Sequence, residues 1–301
     1  MRSSDIMQTA AVGLCAAVFL TGCRRSEEET IVQEPEASVR KYVAFCCDLE
    51  SPYTEAVGFG PSKGIFSRDM LKVLANYPGV PYTWMILRDK DALVINYYAK
   101  EIHPVRKDID EPALHVHYKW YIQDRPTDMT SWKIEARRKA WVRGALEQYK
   151  RLELPLPRTF RPGGGDSQEN LWYLSDFEVL YDEVGIRNYL MGPRVFTAIE
   201  GSTGHQALGK GMWRIDGGRT LTVLRTSVSL EREENQMYEA LDERLSAASY
   251  ALITCHDYNP VVPGNLEKMI LYIRKTHPGV KFVTISTIAD LIRDGKIANT
   301  L

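Results

Sequence analysis

Phosphate cradles are missing from this chain. Its one glycine triplet, Gly163-Gly164-Gly165, lacks both the GxGxxG and the GxxxxGK[ST] spacing, so neither common nucleotide-binding fingerprint is present. An excess of one charge is missing too. Thirty-eight Lys and Arg stand against 39 Asp and Glu, a net charge of -1, which excludes the basic footprint of a nucleic-acid partner. No internal repeat appears, which excludes solenoids and propellers. Histidine is scarce at six residues and cysteine at five, so the placement of each is informative. Long apolar runs are few. The stretch Thr9–Leu20 is about a dozen residues, too short for a permanent membrane-spanning helix but suited to the apolar centre of an export signal.

That stretch ends in Leu20-Thr21-Gly22-Cys23, which resembles a bacterial lipobox. The resemblance implies an exported protein, lipidated on Cys23 and anchored to a membrane by that lipid. Residues 1–23 are then a signal segment. The charged stretch that follows, "RRSEEETIVQEPEASVRK", is poor in apolar residues and reads as a tether over 24–40. The folded domain is expected over 41–301. Cys46, Cys47 and Cys255 remain inside it. Export permits a disulfide, whereas buried thiols serving as small hydrophobes are the plainer reading.

A hydrophobic content of 44% supplies a sizeable core. Short apolar runs alternate with helical periodicity through most of the domain. "YVAFCCDLE", "YTWMIL", "PALHVHYKWYI", "RTFRP", "LTVLRTSV", "YALITCHDY" and "KFVTIST" read as strands. Ser67–Gly79, Thr130–Leu152, "QMYEALDERLSAAS", "NLEKMILYIRKTHPG" and "TIADLIRDGKI" read as helices. This alternation predicts a single α/β domain built on a parallel sheet, open or closed into a barrel.

In such folds reactive residues gather at the carboxyl ends of strands. Four ends qualify: Asp48-Leu49-Glu50, His115-Val116-His117, Arg161-Pro162-Gly163, and His256-Asp257. With side chains alternating, Asp48 and Glu50 share one strand face, and His115 and His117 share another. Two imidazoles beside a carboxylate from a second strand form a plausible divalent-metal set. Cys47 and Cys255 fall on the opposite face, and would approach each other if the first and last strands of a closing barrel adjoin.

"YVAFCCDLE", "DEPALHVHYKW", "RTFRPGGG" leading into "SQENLWYL", and "YALITCHDYN" resemble, in order, the motifs of polysaccharide deacetylases, the NodB-homology group. The resemblance covers roughly Tyr42–Ile292. It implies a distorted (β/α) barrel of about seven parallel strands, and metal-dependent removal of acetyl groups from a polysaccharide or amino sugar. By it, Asp48 is the base, Arg161 its partner and His256 the acid. Glu50, His115 and His117 would hold a divalent metal, zinc foremost. Trp120, with Tyr118 and Tyr121 beside it, and Trp213, Asp216 and Asp257 are candidates for a substrate groove; Asp257 alternatively orients His256 or caps the next segment. Two features depart from the family pattern. The histidines are two apart rather than four, and the acids of the first motif are separated by Leu49. A glycan-binding barrel without activity, or a barrel relative cleaving glycosidic or other C–N bonds, are the alternative readings. His103, His205 and His277 read as turn, loop and helix-end residues.

Overall fold

Both faces of the first strand are buried. In β1 (Tyr42–Leu49) the residues Val43, Phe45, Cys47 and Leu49 enter one apolar cluster, and Ala44 and Cys46 a second. A strand covered on both sides belongs inside a parallel sheet flanked by helices. The computed structural model describes residues 40–57, 65–117, 135–163, 179–191, 206–209, 212–215 and 218–299. All lie in one unit, Val39–Leu301.

After β1 come α1 (Ser51–Val57), α2 (Ser67–Ala75) and β2 (Tyr82–Leu87). Helix α3 (Leu93–Tyr97), a π-helical turn (Tyr98–Ile102) and α4 (His103–Arg106) lead into β3 (Glu111–Val116). Then follow α5 (Glu135–Arg151), β4 (Thr159–Pro162), β5 (Asn188–Met191), β6 (Gln206–Gly209), β7 (Met212–Ile215), β8 (Arg219–Arg225) and β9 (Val228–Ser229). The chain closes with α6 (Glu234–Ala247), β10 (Tyr250–His256), α7 (Val262–Thr276), β11 (Lys281–Phe282) and α8 (Ile285–Arg293).

Among the described residues, eight strands form a parallel row in the order β8-β5-β4-β3-β2-β1-β10-β9. Only Thr226 and Ser227 separate β8, which pairs with β5, from β9, which pairs with β10. One chain segment therefore touches both ends of the row and curls the sheet into a barrel. With β8 and β9 sharing a place, eight strands occupy seven positions, in line with the expected count. The β6–β7 hairpin adds to β8 in antiparallel fashion. β11 is shorter than the strand expected from "KFVTIST". It pairs with β1 only at Tyr42 and Val43, below the point where β2 begins its own pairing at Phe45. Thr284 then caps α8 by accepting the Thr287 N–H and ends the extended run.

The two apolar clusters are the two sides of the barrel wall. Outside, strand residues including Leu114, Val116, Ile253 and Cys255 pack on the helices. Inside, Ala44, Cys46, Met85, Ala113, Leu190, Leu224 and Leu252 meet Ile285, Ile288, Ala289 and Ile292 of α8, which plugs the end of the lumen where the strands begin. Each fully buried aliphatic side chain contributes about 1.5–3 kcal/mol of transfer free energy. Tyr118, Trp120, Tyr121, His205, Asp216 and Cys23 lie outside the described residues. No described helix is long and apolar enough to cross a membrane.

Candidate active site at the barrel mouth

One face of β3 carries Glu111, Ala113 and His115 in succession, and His117 continues it just past the strand. β3 pairs with β4 so that His115 lies opposite Arg161, and β1 pairs with β10 so that Asp48 lies opposite His256. These registers bring the reactive ends of four strands to one mouth. His115 Nε2 lies 2.8 Å from Glu50 Oε1, His117 Nε2 lies 3.2 Å from the same oxygen, and the two Nε2 atoms are 3.0 Å apart. A spacing of two residues suffices because strand geometry returns to the same face every second residue. Gly163 makes room for this. A Cβ there would collide with the His117 imidazole, while the Gly163 N–H donates to Val116 O at 2.7 Å.

The donor chemistry calls for positive charge at this point. His115 Nδ1 lies 3.0 Å from the Arg161 carbonyl oxygen, which can only accept, so Nδ1 holds the proton. In the neutral ring, Nε2 then presents a lone pair to a carboxylate oxygen and a second imidazole. Such a meeting of acceptors is repulsive without a proton or cation among them. A carbonyl behind a ligating histidine is the usual device that fixes its tautomer. Glu50, His115 and His117 therefore fit a divalent ion. Zinc with ligand distances of about 2.0–2.2 Å would ask this triangle to open by a few tenths of an ångström. Burial opposes ionisation of Glu50, but its bonds to the two histidines hold its carboxyl well below the ordinary glutamate value.

Asp48 sits beside this set with 2% of its surface exposed. Arg161 Nε donates to its Oδ2 at 2.8 Å and lies 2.6 Å from Oδ1. Among the described residues no donor is angled at Oδ1, which leaves a lone pair there to take a proton. Burial would raise the Asp48 carboxyl, yet Arg161, with His115 and His256, outweighs it and keeps the group below the ordinary aspartate value. His256 Nε2 is 3.5 Å from Asp48 Oδ2. Its other nitrogen, Nδ1, meets Glu231 Oε1 at 2.6 Å, and Glu231 also accepts the His256 backbone N–H at 2.7 Å. Burial would lower the His256 imidazolium, but Glu231 and the nearby Asp48 and Glu50 charges push it up to about 10. An ionised aspartate and a protonated histidine thus face each other at neutral pH, a base and an acid in one mouth.

No protein-family model matches the chain, and no curated protein matches it by sequence. Solved structures do. A Mycobacterium smegmatis protein assigned to the polysaccharide deacetylases superposes with a TM-score of 0.57 at 15% identity, over 89% of this chain and 96% of that one. This chain shares its fold. A family 4 carbohydrate esterase from Streptomyces lividans, solved with acetate, is similar over 86% of this chain and 96% of its own at 11% identity, with a TM-score of 0.46. A 4-alpha-glucanotransferase from Thermococcus litoralis reaches 0.50 at 9% identity, over 83% of this chain and 40% of that one. A deacetylase fold is thus approached by a protein of different chemistry, so function has to be argued from the site.

Within the deacetylase fold the structure brings Asp48, Glu50, His115, His117, Arg161 and His256 together. It places Asp257 elsewhere. Instead of lining a groove, Asp257 is fully buried, accepting the Glu50 and Ser51 N–H groups at 2.8 and 2.9 Å and the Ser51 hydroxyl. It caps the turn that carries Glu50. Trp213 lies on β7 opposite Leu221 of β8, while Trp120 and Asp216 lie outside the described residues. Two residues were missed. Glu231 stands in the run Glu231-Arg232-Glu233-Glu234, whose composition reads as a solvated helix start. Its signal is register: Ser229 lies opposite Thr254, so two residues on, Glu231 reaches His256. Tyr258 stacks on the His256 ring with centroids 4.9 Å apart. Cys46, Cys47 and Cys255 are buried free thiols, although Cys47 and Cys255 do lie opposite each other as β1 and β10 adjoin. His277 is the C-cap of α7.

Proposed function

We propose that this protein is a metal-dependent hydrolase that removes acetyl groups from a polysaccharide or amino sugar, exported and held at a membrane by a lipid on Cys23. One observation carries the reading: Glu50, His115 and His117 converge beside an Arg161-held Asp48 and a Glu231-held His256. A bound divalent ion, zinc foremost, supplies Lewis-acid polarisation of an acyl carbonyl and acidifies water. Asp48 accepts the proton of the attacking water through its unoccupied lone pair. Arg161 keeps Asp48 ionised through that role. His256, protonated at neutral pH, donates to the departing amine or alcohol, and Glu231 holds its ring in place. Tyr258, stacked on that ring, limits its rotation.

The convergence favours an enzyme over a barrel that only binds glycan, because pairing a buried acid and base across one mouth serves no binding need. Acetate release from an acetylated chitooligosaccharide, with and without added zinc, tests it. Zinc-dependent release that disappears in His115→Ala is expected. No release at any metal loading, from a protein that binds zinc stoichiometrically, would count against the deacetylase and leave only the metal site. Metabolic labelling with a radioactive fatty acid, lost in Cys23→Ala, tests the anchor.

A further inference from the structure

A cleft lies outside the barrel mouth. Where β8 passes to β9, the segment Arg225-Thr226-Ser227 faces α6 across a cleft of about 380 Å³, a volume within the range of ligand pockets. Its lining holds three guanidiniums, Arg225, Arg232 and Arg244, against one carboxylate, Glu243, together with the hydroxyl residues Thr226 and Ser227. That imbalance is local, because the chain as a whole carries a net charge of only -1. Three other surface arginines are matched with acids. Arg143 pairs with Glu183, Arg158 with Asp290 and Arg219 with Asp182. Arg225 and Arg232 are exposed and make no ion pair among the described residues.

The backbone around the cleft is pinned at several points, and one of its three charges is fixed in place. Arg244 Nε donates to Tyr250 O at 3.1 Å, and its guanidinium lies over the Tyr250 ring at 4.9 Å. Ser227 N donates to Leu252 O at 3.0 Å, and the Ser227 hydroxyl accepts the Leu252 N–H at 3.2 Å, which ties the crossing to β10. Asn265 of α7 donates to the Leu230 and Arg232 carbonyl oxygens, which pins the loop bearing Arg232. The Arg244 fork is thus held, while those of Arg225 and Arg232 extend from the exposed rim, and planar guanidinium forks match the oxygen pairs of carboxylates and of sulfate or phosphate esters.

We propose that this cleft binds an anionic sugar residue of a polymer, at a distance along the chain from the residue being hydrolysed. Arg232 directly follows Glu231, the partner of His256, so the cleft begins one residue from the candidate active site. On this proposal a glycan leaving the mouth along the Glu231–Arg232 segment would reach it. The polymeric partner rests on the deacetylase reading, whereas the charge and volume of the cleft do not.

Calorimetric titration of the full chain at low salt tests the proposal, with a galacturonate tetramer, a neutral galactose tetramer and inorganic phosphate as separate probes. The acidic tetramer is expected to bind saturably, about tenfold or more weakly in Arg225→Ala/Arg232→Ala, and more weakly as salt rises. Arg232→Glu alone should weaken it in the same direction. His115→Ala should leave this binding intact, so failure of the catalytic reading and failure of the cleft are told apart. Equal affinity for the neutral tetramer, or unchanged affinity in both arginine variants, overturns the site. Phosphate binding as tightly as the acidic tetramer overturns the sugar and leaves a simple anion site.

Discussion

The lumen of this barrel has a polar cluster at each end, and one strand face reaches both. Glu111 begins β3 at the plugged end, and His115 and His117 close it at the mouth. At the plugged end Glu111 accepts from the Thr83 hydroxyl at 2.9 Å and from the Ser286 N–H at 3.1 Å. Asn188 donates to Thr159 and Ser286, and Arg293 donates to Asn188 and Thr222. Glu111's own partners there are neutral donors. At the mouth, Asp48 and Glu50 meet charged or chargeable partners instead. The consequence is opposite behaviour of similar carboxyls. Burial wins at Glu111 and raises it, despite its hydrogen bonds. Arg161 and the histidines win at Asp48 and Glu50 and lower them. Neutral donors suffice to seat a helix in a barrel, whereas holding carboxylates ionised inside protein takes nearby positive charge.

Removing that charge should break the contrast most sharply. Arg161→Met leaves Asp48 buried without its counter-charge. A loss of about 3–5 kcal/mol in unfolding free energy is expected from denaturant melts, with acetate release falling by about a thousandfold. Full activity in that variant would remove Asp48 from the mechanism. Next comes Gly163→Ala, which displaces the His117 ring without touching charge. Zinc affinity should drop by about 10–100-fold, read by competition with a chelating dye, with a much smaller change in melting temperature.

Glu231→Gln tests the acid. Because His256 is raised in the folded protein, its pairing stabilises the fold fully below the ordinary histidine value of 6.5 and is lost as pH rises toward about 10. The variant should bring the His256 titration, followed by NMR, down toward the ordinary value. The alkaline limb of the pH–rate profile should move with it. An unshifted titration would leave Glu231 a bystander. The smallest effect belongs to the plugged end. Glu111→Gln keeps an acceptor for Ser286 and Thr83 and removes a carboxyl that burial penalises when charged. Unfolding free energy should stay within about 1 kcal/mol of the parent at neutral pH, leaning to greater stability. Any gain should vanish below the ordinary glutamate range, and acetate release should be unchanged.

Much of the mouth was legible because it rests on strand parity. The pairs Asp48 with Glu50 and His115 with His117 follow from alternation alone, as does the exile of Cys47 and Cys255 to the outer wall. Asp257 lines no groove, and its capping role falls on a remote turn rather than the next segment, because in sequence a carboxylate that caps a remote turn looks like one that points outward. Only the packing of β10 against β1 sends it to the Glu50 and Ser51 N–H groups. Glu231 was hidden in a charged run, where nothing local separates it from Glu233 and Glu234. Helices α6 and α7 were legible from apolar spacing, while β11 shrank to two residues because Thr284 serves better as a cap than as a strand residue.

By itself the sequence determined most of the strands and helices, and which side chains share a face, since period-two and period-3.6 patterns are properties of the local backbone. It thereby set the candidate chemistry at four strand ends. Tertiary structure decided which ends meet. Strand order depends on burying both faces of a whole sheet, and closure depends on β8 and β9 joining β5 to β10. Only then do Glu50 and His115 come within 2.8 Å, and Glu231 and His256 within 2.6 Å.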